Sequence, residues 1–493
     1  SRMMCWSAAM AVFGAAPALA APSPADAFAQ RLQAAVDQMQ AGKCDGSAWR
    51  TLLNDPALPT APSALRSITY LGLTACVRGP DAPGWIRKAT EERDVIPAAW
   101  GLRFAYDVDL KDTADAMHAL EASAAQSDWT HLETYTDRAL FGFWANLKSD
   151  PAPRRRLAAL LERVRWTPVT PGYDGSEFWS ELALARIEEG KVPEAVRVAQ
   201  RISQPVVLFR MRLDRRFDVI GQTDATVLDV DFAALATLER DRAAYAAHPN
   251  DARLALDIVQ DLRLLNRPGD ALAVADATLA RKDIRDSEGR EYRHWIEDRR
   301  GSVLTDLGRF EEALEVQRQA ATRLENGAPN VSQRINLAGM LNGLGKHEEA
   351  LGTLGPFDGA GVSASPYGLM WVAAERACAA AALGREPLKA QNLAFTVAHA
   401  ADNSSARLKA LLCDRDIAGA RDLIVALLAD PDKRQYALTQ LSRFASPKVP
   451  AWDAEIKDRF ESVRGDPAVV AAVARVGRTE TSKLNGSTWL DFL

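Results

Sequence analysis

The sequence predicts an all-α chain, an α-solenoid of antiparallel helical hairpins, and three observations carry that prediction. Two segments repeat each other. One reads Gly301, Leu304, Gly308-Arg309-Phe310-Glu311-Glu312-Ala313 and Ala320; the other reads Leu337-Ala338, Leu341 and Gly345-Lys346-His347-Glu348-Glu349-Ala350, with the Gly and Ala positions recurring 37 residues on. A period of that size belongs to helical pairs that cannot bury their apolar faces alone and so stack. Nearly every other segment has helical periodicity and ends at a Gly-rich turn. Strand-like alternation is scarce, Gln204–Met211 being the most β-rich stretch, short and isolated.

Each position in the repeat has a physical reading. Gly301 and Ala338, early in the first helix, let the second helix cross closely. Gly308 and Gly345 close the first helix in the left-handed conformation that Gly adopts at little cost. The Glu-Glu pair opens the next helix, where negative charge suits the dipole. Ala313 and Ala350 sit where the two helices of a pair touch, with Leu304 and Phe310 as apolar contacts. Ala313, Val316, Ala320 and Leu324 fall on one face of the second helix.

These motifs resemble the tetratricopeptide repeat. A weaker copy spans Asp251–Thr278, with Leu254, Leu256, Ala271, Leu272 and Ala275, and with Asn266 in place of the turn Gly. Another has Trp179, Leu182, Ala183, Gly190, Val192, Ala195 and Ala199, with Arg186 where the family prefers Tyr. The resemblance implies a right-handed superhelix that binds a protein or peptide on its concave surface. Carried onto this chain, the groove-facing first-helix positions are Arg253, Leu256, Gln260 and Arg263, then Trp295, Asp298, Ser302 and Thr305, then Ser332, Ile335, Gly339 and Asn342. Trp295 and Arg263 are the expected anchors, since Trp and Arg carry a disproportionate share of interface energy. The Lys and Asn set with which some members hold a C-terminal carboxylate is not matched.

The first residues read as a secretory signal over 1–20: Arg2, an apolar Met3–Gly14, and a small-x-small site at Ala18-Leu19-Ala20. The chain opens on Ser, so translation starts at Met3, Met4 or upstream. The apolar run is shorter than the ~20 residues that span a bilayer, and no later segment is long and apolar enough. No Cys follows the cleavage site to carry a lipid anchor. The Ala- and Arg-rich composition points to a GC-rich bacterium and hence to the periplasm. After removal of Cys5 an even set remains: Cys44, Cys76, Cys378 and Cys413. That count favours bridges in an exported chain. Helices over 27–41 and 63–77 run parallel, so Cys44 and Cys76 fall at one end; Cys378 and Cys413 lie about one repeat apart on successive first helices. The pairs Cys44–Cys76 and Cys378–Cys413 follow, with four buried free thiols as the alternative.

Length and composition fit a folded chain of several domains or one long solenoid: 493 residues, 47% hydrophobic and 25% charged. Pro, Gly and Asp clusters divide it into an N-terminal degenerate helical region over 26–214, a clearer array over 231–430, and capping helices with a tail over 431–493. In that tail Arg478–Lys483 reads as loose, and Trp489, Leu490, Phe492 and Leu493 form an apolar tip suited to docking back or to a partner. The N-terminal region holds Trp49, Trp85, Trp100, Trp129, Trp144, Trp166 and Trp179, read as core packing, with a glycan or peptide groove as the alternative.

A net charge of −5 with both signs interspersed leaves no basic stripe, so nucleic acid has no electrostatic footing. None of His118, His131, His248, His294, His347 and His399 has a second ligand at metal spacing. Gly361-Val362-Ser363-Ala364-Ser365 lacks the second Gly of a nucleophile elbow and reads as a linker. Asp107-Val108-Asp109 and Asp229-Val230-Asp231 read as caps or turns. The expectation is a periplasmic scaffold without catalysis, metal or cofactor, binding a protein or peptide of the cell envelope. Two other readings stand beside it: the helical scaffold of a cell-wall or polysaccharide-processing enzyme with a site in the Trp-rich half, and a permanent structural subunit of an envelope assembly.

Overall fold

The computed structural model describes residues 23–77, 79–126, 137–147, 150–168, 174–285, 292–325, 328–358, 362–445 and 448–490. The signal segment 1–20, Trp129, His131, Gly361, Phe492 and Leu493 lie outside the described residues. The fold is an all-α stack of antiparallel hairpins, and its only sheets among the described residues are two short two-stranded ones. The chain divides into compact units over 1–182 and 183–493, earlier than the expected boundary at 214.

Unit 1 carries α1 (Pro24–Gln40), α2 (Gly46–Leu53), α3 (Ser63–Cys76), α4 (Ala82–Glu91), α5 (Pro97–Asp109), α6 (Thr113–Gln126), α7 (Asp137–Leu147), α8 (Pro151–Arg163) and the start of α9 (Ser176–Glu188). Pro opens several of these at the first turn, where its missing N–H is no loss. The structure brings Cys44, just beyond α1, to bonding distance of Cys76 at the end of α3, with Cα atoms 5.0 Å apart. The tryptophans are packing groups: Trp49, Trp100, Trp166 and Trp179 are buried, and Trp85 and Trp144 partly so. The Trp49 ring lies against Gly72 of α3, where a Cβ would overlap it. Phe178 meets Phe141, Trp144 and Trp166 in one aromatic cluster.

Unit 2 begins with α10 (Val192–Ala199), α11 (Pro205–Leu213), α12 (Asp218–Thr223) and α13 (Val230–Ala247). Five hairpins follow: α14 (Ala252–Leu264) with α15 (Pro268–Ala280), α16 (Tyr292–Asp306) with α17 (Phe310–Thr322), α18 (Val331–Gly343) with α19 (His347–Leu354), α20 (Pro366–Ala382) with α21 (Glu386–Ala398), and α22 (Ser404–Cys413) with α23 (Ile417–Ala429). Each first helix ends on a left-handed residue: Asn266 (φ 55°), Gly308 (76°), Gly345 (75°), Gly384 (66°) and Arg415 (63°). The two central turns stand as the sequence predicts, and two more copies follow them. Cys378 of α20 meets Cys413 of α22 with Cα atoms 5.0 Å apart, joining successive first helices. Leu324 departs from its expected place: α17 stops at Thr322, and Leu324 is exposed in a two-residue strand.

The unit ends in α24 (Arg434–Leu441), β1 (Arg443–Ala445), α25 (Ala451–Arg464), α26 (Pro467–Val476) and β2 (Thr481–Asn485), the two strands pairing in parallel. Its end returns to its beginning. The Arg478 N–H donates to the Leu213 carbonyl at 2.9 Å, Arg212 pairs with Glu480 at 2.7 Å, and Gln435 donates to Asp214. A Cβ at Gly477 would overlap the Leu213 carbonyl, so glycine permits this seam. The most β-rich stretch is helical, as the all-α reading has it, and one expectation, the loose tail, is corrected. Gln204–Met211 is helical, because Pro205 opens a helix whose Val207, Leu208, Phe209 and Met211 are buried; burial overrides β-propensity. Residues 478–485 are no loose tail: Leu484 and Asn485 are buried, and Trp489 docks on Phe209 at 5.2 Å between ring centres. This closure explains why 205–214 belong with the array.

Candidate functional site

The 37-residue repeat aligns α16, α18 and α20, so the same helical face of each turns to the inside of unit 2. Small residues on that face leave room: Gly301, Ser302 and Thr305 on α16, Ser332 and Gly339 on α18, Gly368 on α20. Together with α25, these helices line an open cavity of about 610 Å³, a size that suits a compact ligand. Its apolar wall is Ile335, Met340, Trp371 and Ile456; Gln317, Asn336 and Tyr367 add polar groups.

One wall is charged. The Lys409 Nζ lies 2.6 Å from Glu375 Oε1, and both side chains are buried. Asn342 Nδ2 donates to Glu375 Oε2 at 2.9 Å, and His347 Nδ1 lies 3.1 Å from Asn342 Oδ1. Burial lowers the His347 pKa. Burial opposes the Lys409 charge, but the carboxylates of Glu375 and Asp453 raise its pKa on balance. Asp453 of α25 packs against Gly343, where a Cβ would overlap its carboxylate. Burial and the Glu375 charge push Asp453 up to about 6, against the pull of Lys409 and Lys457. On the facing side Arg299 is held down to about 10 by burial and by the like charge of Arg263, against the pull of Asp298 and Asp306.

The expected groove positions separate into three sets. Ser302, Thr305 and Ser332 line the cavity, together with Ile335 and Gly339. Trp295 is 51% exposed, and Gln260 is exposed too, but neither lines the cavity; Asp298 is tied to Arg323 at 3.1 Å and to Gln333 at 2.6 Å. Arg253, Arg263 and Asn342 are buried and engaged within the chain. Arg263 in particular is no open anchor. Its Nε lies 2.7 Å from Asp306 Oδ2, and its Nη2 donates to Ser487 Oγ at 3.1 Å. Asn485 Nδ2 donates to the same Asp306 at 3.1 Å, so the chain's own C-terminal segment covers this part of the inner face. Arg299, Trp371, Glu375, Lys409 and Asp453 were not anticipated. Trp371 and Glu375 become legible once the repeat is extended one copy past Gly345; Asp453 has no such signal, because α25 joins the site from outside the repeat.

Among the described residues no group of three or more His, Cys, Asp or Glu is placed to hold a metal, and no helix is long and apolar enough to cross a membrane.

No protein-family model matches the chain, and no curated protein matches it. Solved structures of helical proteins do align with it at low identity. One is Naa15/Naa10 bound to HypK-THB, at 12% identity, covering 91% of this chain and 79% of that one, with a TM-score of 0.26. A second is the Cut9–Hcn1 hetero-tetramer of the APC/C, at 12% identity, 91% and 96% coverage and a TM-score of 0.30. A third is a Rap protein complexed with competence and sporulation factor, at 11% identity, 89% and 99% coverage and a TM-score of 0.30. At such scores no function carries across.

Proposed function

We propose that this chain is a non-catalytic scaffold of the bacterial periplasm that receives a peptide, or a peptide segment of an envelope protein, on the inner face of its helical array. The observation that carries the reading is the cavity itself: successive first helices present small and polar residues to one space with an apolar wall. Backbone-rich ligands suit such a lining, since Ser302, Gln317 and Asn336 can exchange hydrogen bonds with amides while Ile335, Met340 and Trp371 take side chains. The paired cysteines fit an oxidising compartment. A photo-crosslinking residue at Ser332, inside the cavity, is expected to capture a partner in intact cells. The same residue at Glu315, on the exposed face of α17, is expected to capture none. Equal capture from both positions, or turnover of cell-wall fragments by the purified chain, overturns the reading.

A further inference from the structure

Two charges in the cavity stand unmatched. Two buried ionic pairs of this unit are matched, Lys409 with Glu375 and Arg263 with Asp306, whereas Asp261, away from the cavity, also keeps a buried oxygen without a donor. Arg299 has no ion pair or hydrogen bond among the described residues, and its Nε is buried without an acceptor. Asp453 likewise has no donor or ion-pair partner among the described residues, although it is pressed against Gly343. Both line the same cavity. A sequestered charge without a partner is costly, and a ligand of the opposite charge relieves that cost.

The signs and the size of the cavity define the ligand. A polyanion would meet one uncommitted cation and then face Asp453 and Glu375. A metal ion would find one uncommitted carboxylate. A molecule with one negative and one positive end satisfies both groups. The repeat places Arg299 level with Asn336, which lines the cavity too, and Gly343 marks the level of Asp453. The cavity of about 610 Å³ exceeds what a free amino acid fills and takes a peptide of a few residues.

We propose that the cavity holds a short unblocked peptide of about three to five residues, its carboxylate on Arg299 and its terminal ammonium on Asp453. The inference rests on the peptide-binding reading above and names the ligand class of that site. Trp371 and Met340 pack the side chains between the two ends.

The test is calorimetric titration of the full chain with pooled tri- and tetrapeptides of Ala, Leu and Ser, in unblocked, N-acetylated and C-amidated forms. Unblocked peptides are expected to bind, and each block to weaken binding at least tenfold. Arg299→Gln is expected to abolish the discrimination against the amide, and Asp453→Asn the discrimination against the acetyl form, with circular dichroism confirming the fold of each. Equal binding of blocked and unblocked peptides overturns the charge assignment and leaves the peptide reading standing. Equal binding of free amino acids overturns the length. No response to any pool, together with capture of a protein at Ser332, overturns the short-peptide ligand alone. No response and no capture overturn both.

Discussion

The buried pair Arg263–Asp306 offers the sharpest test of how unit 2 is held together. Both side chains are almost fully buried, the contact is 2.7 Å, and the pair is the anchor for Ser487 and Asn485 of the C-terminal segment. Arg263→Ala leaves the buried Asp306 carboxylate without its ion pair, with the Asn485 amide, the Ser487 hydroxyl and the more distant charge of Arg299 as its neighbours. Breaking a buried pair in this way costs about 3–5 kcal/mol. Unit 2 has roughly 310 residues, so its unfolding entropy near 60 °C is on the order of 0.65 kcal/mol/K, and the loss converts to a Tm lower by about 5–8 °C. The measurement is differential scanning calorimetry, with limited proteolysis as a second readout: residues 478–490 are expected to become cleavable before the rest of the unit. The double change Arg263→Met with Asp306→Leu removes both charges and is expected to recover most of the loss. About 1–2 kcal/mol should stay missing, because Asn485 is then left without its acceptor. A single variant that melts within about 1 °C of the parent, with the C-terminal segment still protected, refutes the claim that this pair fastens the segment to the array.

Three further outcomes follow from the same geometry. Peptide mapping without reductant is expected to recover Cys44 with Cys76 and Cys378 with Cys413; replacing Cys378 and Cys413 by Ser, 35 residues apart in sequence, should cost on the order of 3–4 kcal/mol in chemical denaturation. Gly345→Val should cost about 1–2 kcal/mol, because φ is 75° there and no neighbour would clash, so a melt unchanged from the parent would show that the turn does not depend on glycine. Asp453→Asn should stabilise the chain above pH 6 by on the order of 3 kcal/mol. The folded pKa of about 6 lies above the ordinary 3.8, so the folded state holds this proton more tightly. Stability from this group is therefore full below pH 4 and lost as pH rises through 6. Parent and variant should accordingly converge near pH 4, and a constant difference at all pH values would refute the assignment.

The array was legible where its chemistry is local. Gly308 and Gly345 announce left-handed turns, Ala313 and Ala350 announce close helix contacts, and Asn266 was readable as a substitute because Asn tolerates the same conformation. Arg415 adopts it without any such signal, so the last hairpin was harder to read. The closure of the unit was not legible at all. It depends on Gly477 meeting Leu213 and on Asn485 meeting Asp306, contacts more than 170 residues apart in sequence, and no periodicity records them. The inner face was consequently half read. Ser302, Thr305 and Ser332 were found from register alone, whereas Arg263 looked available because the segment that covers it is distant in the chain. The β-rich composition of Gln204–Met211 answers to burial of its apolar residues within the unit, and the stretch is helical as the all-α reading has it.

Closure changes what the array can accept. An open superhelix offers a long concave surface, and a partner can lie along several repeats. Here α25 packs on α18, α22 and α23 beside the cavity, and the C-terminal segment occupies the inner ends of α14 and α16. The free inner face is thereby shortened, and selection falls on the two ends of the ligand. Within that space the stability cost of Asp453 becomes informative. A carboxylate pressed on a helix end without a donor weakens the fold at neutral pH, and Asn of nearly the same volume would remove the cost. Arg299 carries the complementary burden, its Nε sequestered without an acceptor. Two other buried pairs in this unit are matched, Lys409 with Glu375 on the cavity wall and Arg263 with Asp306 beside it. Two opposite charges left unmatched where the interior opens fit a binding site kept at the expense of stability. The two measurements on one variant therefore constrain each other: Asp453→Asn must gain stability above pH 6 and lose preference for a free amine, and gain without loss would mark the carboxylate as a packing defect with no ligand to serve.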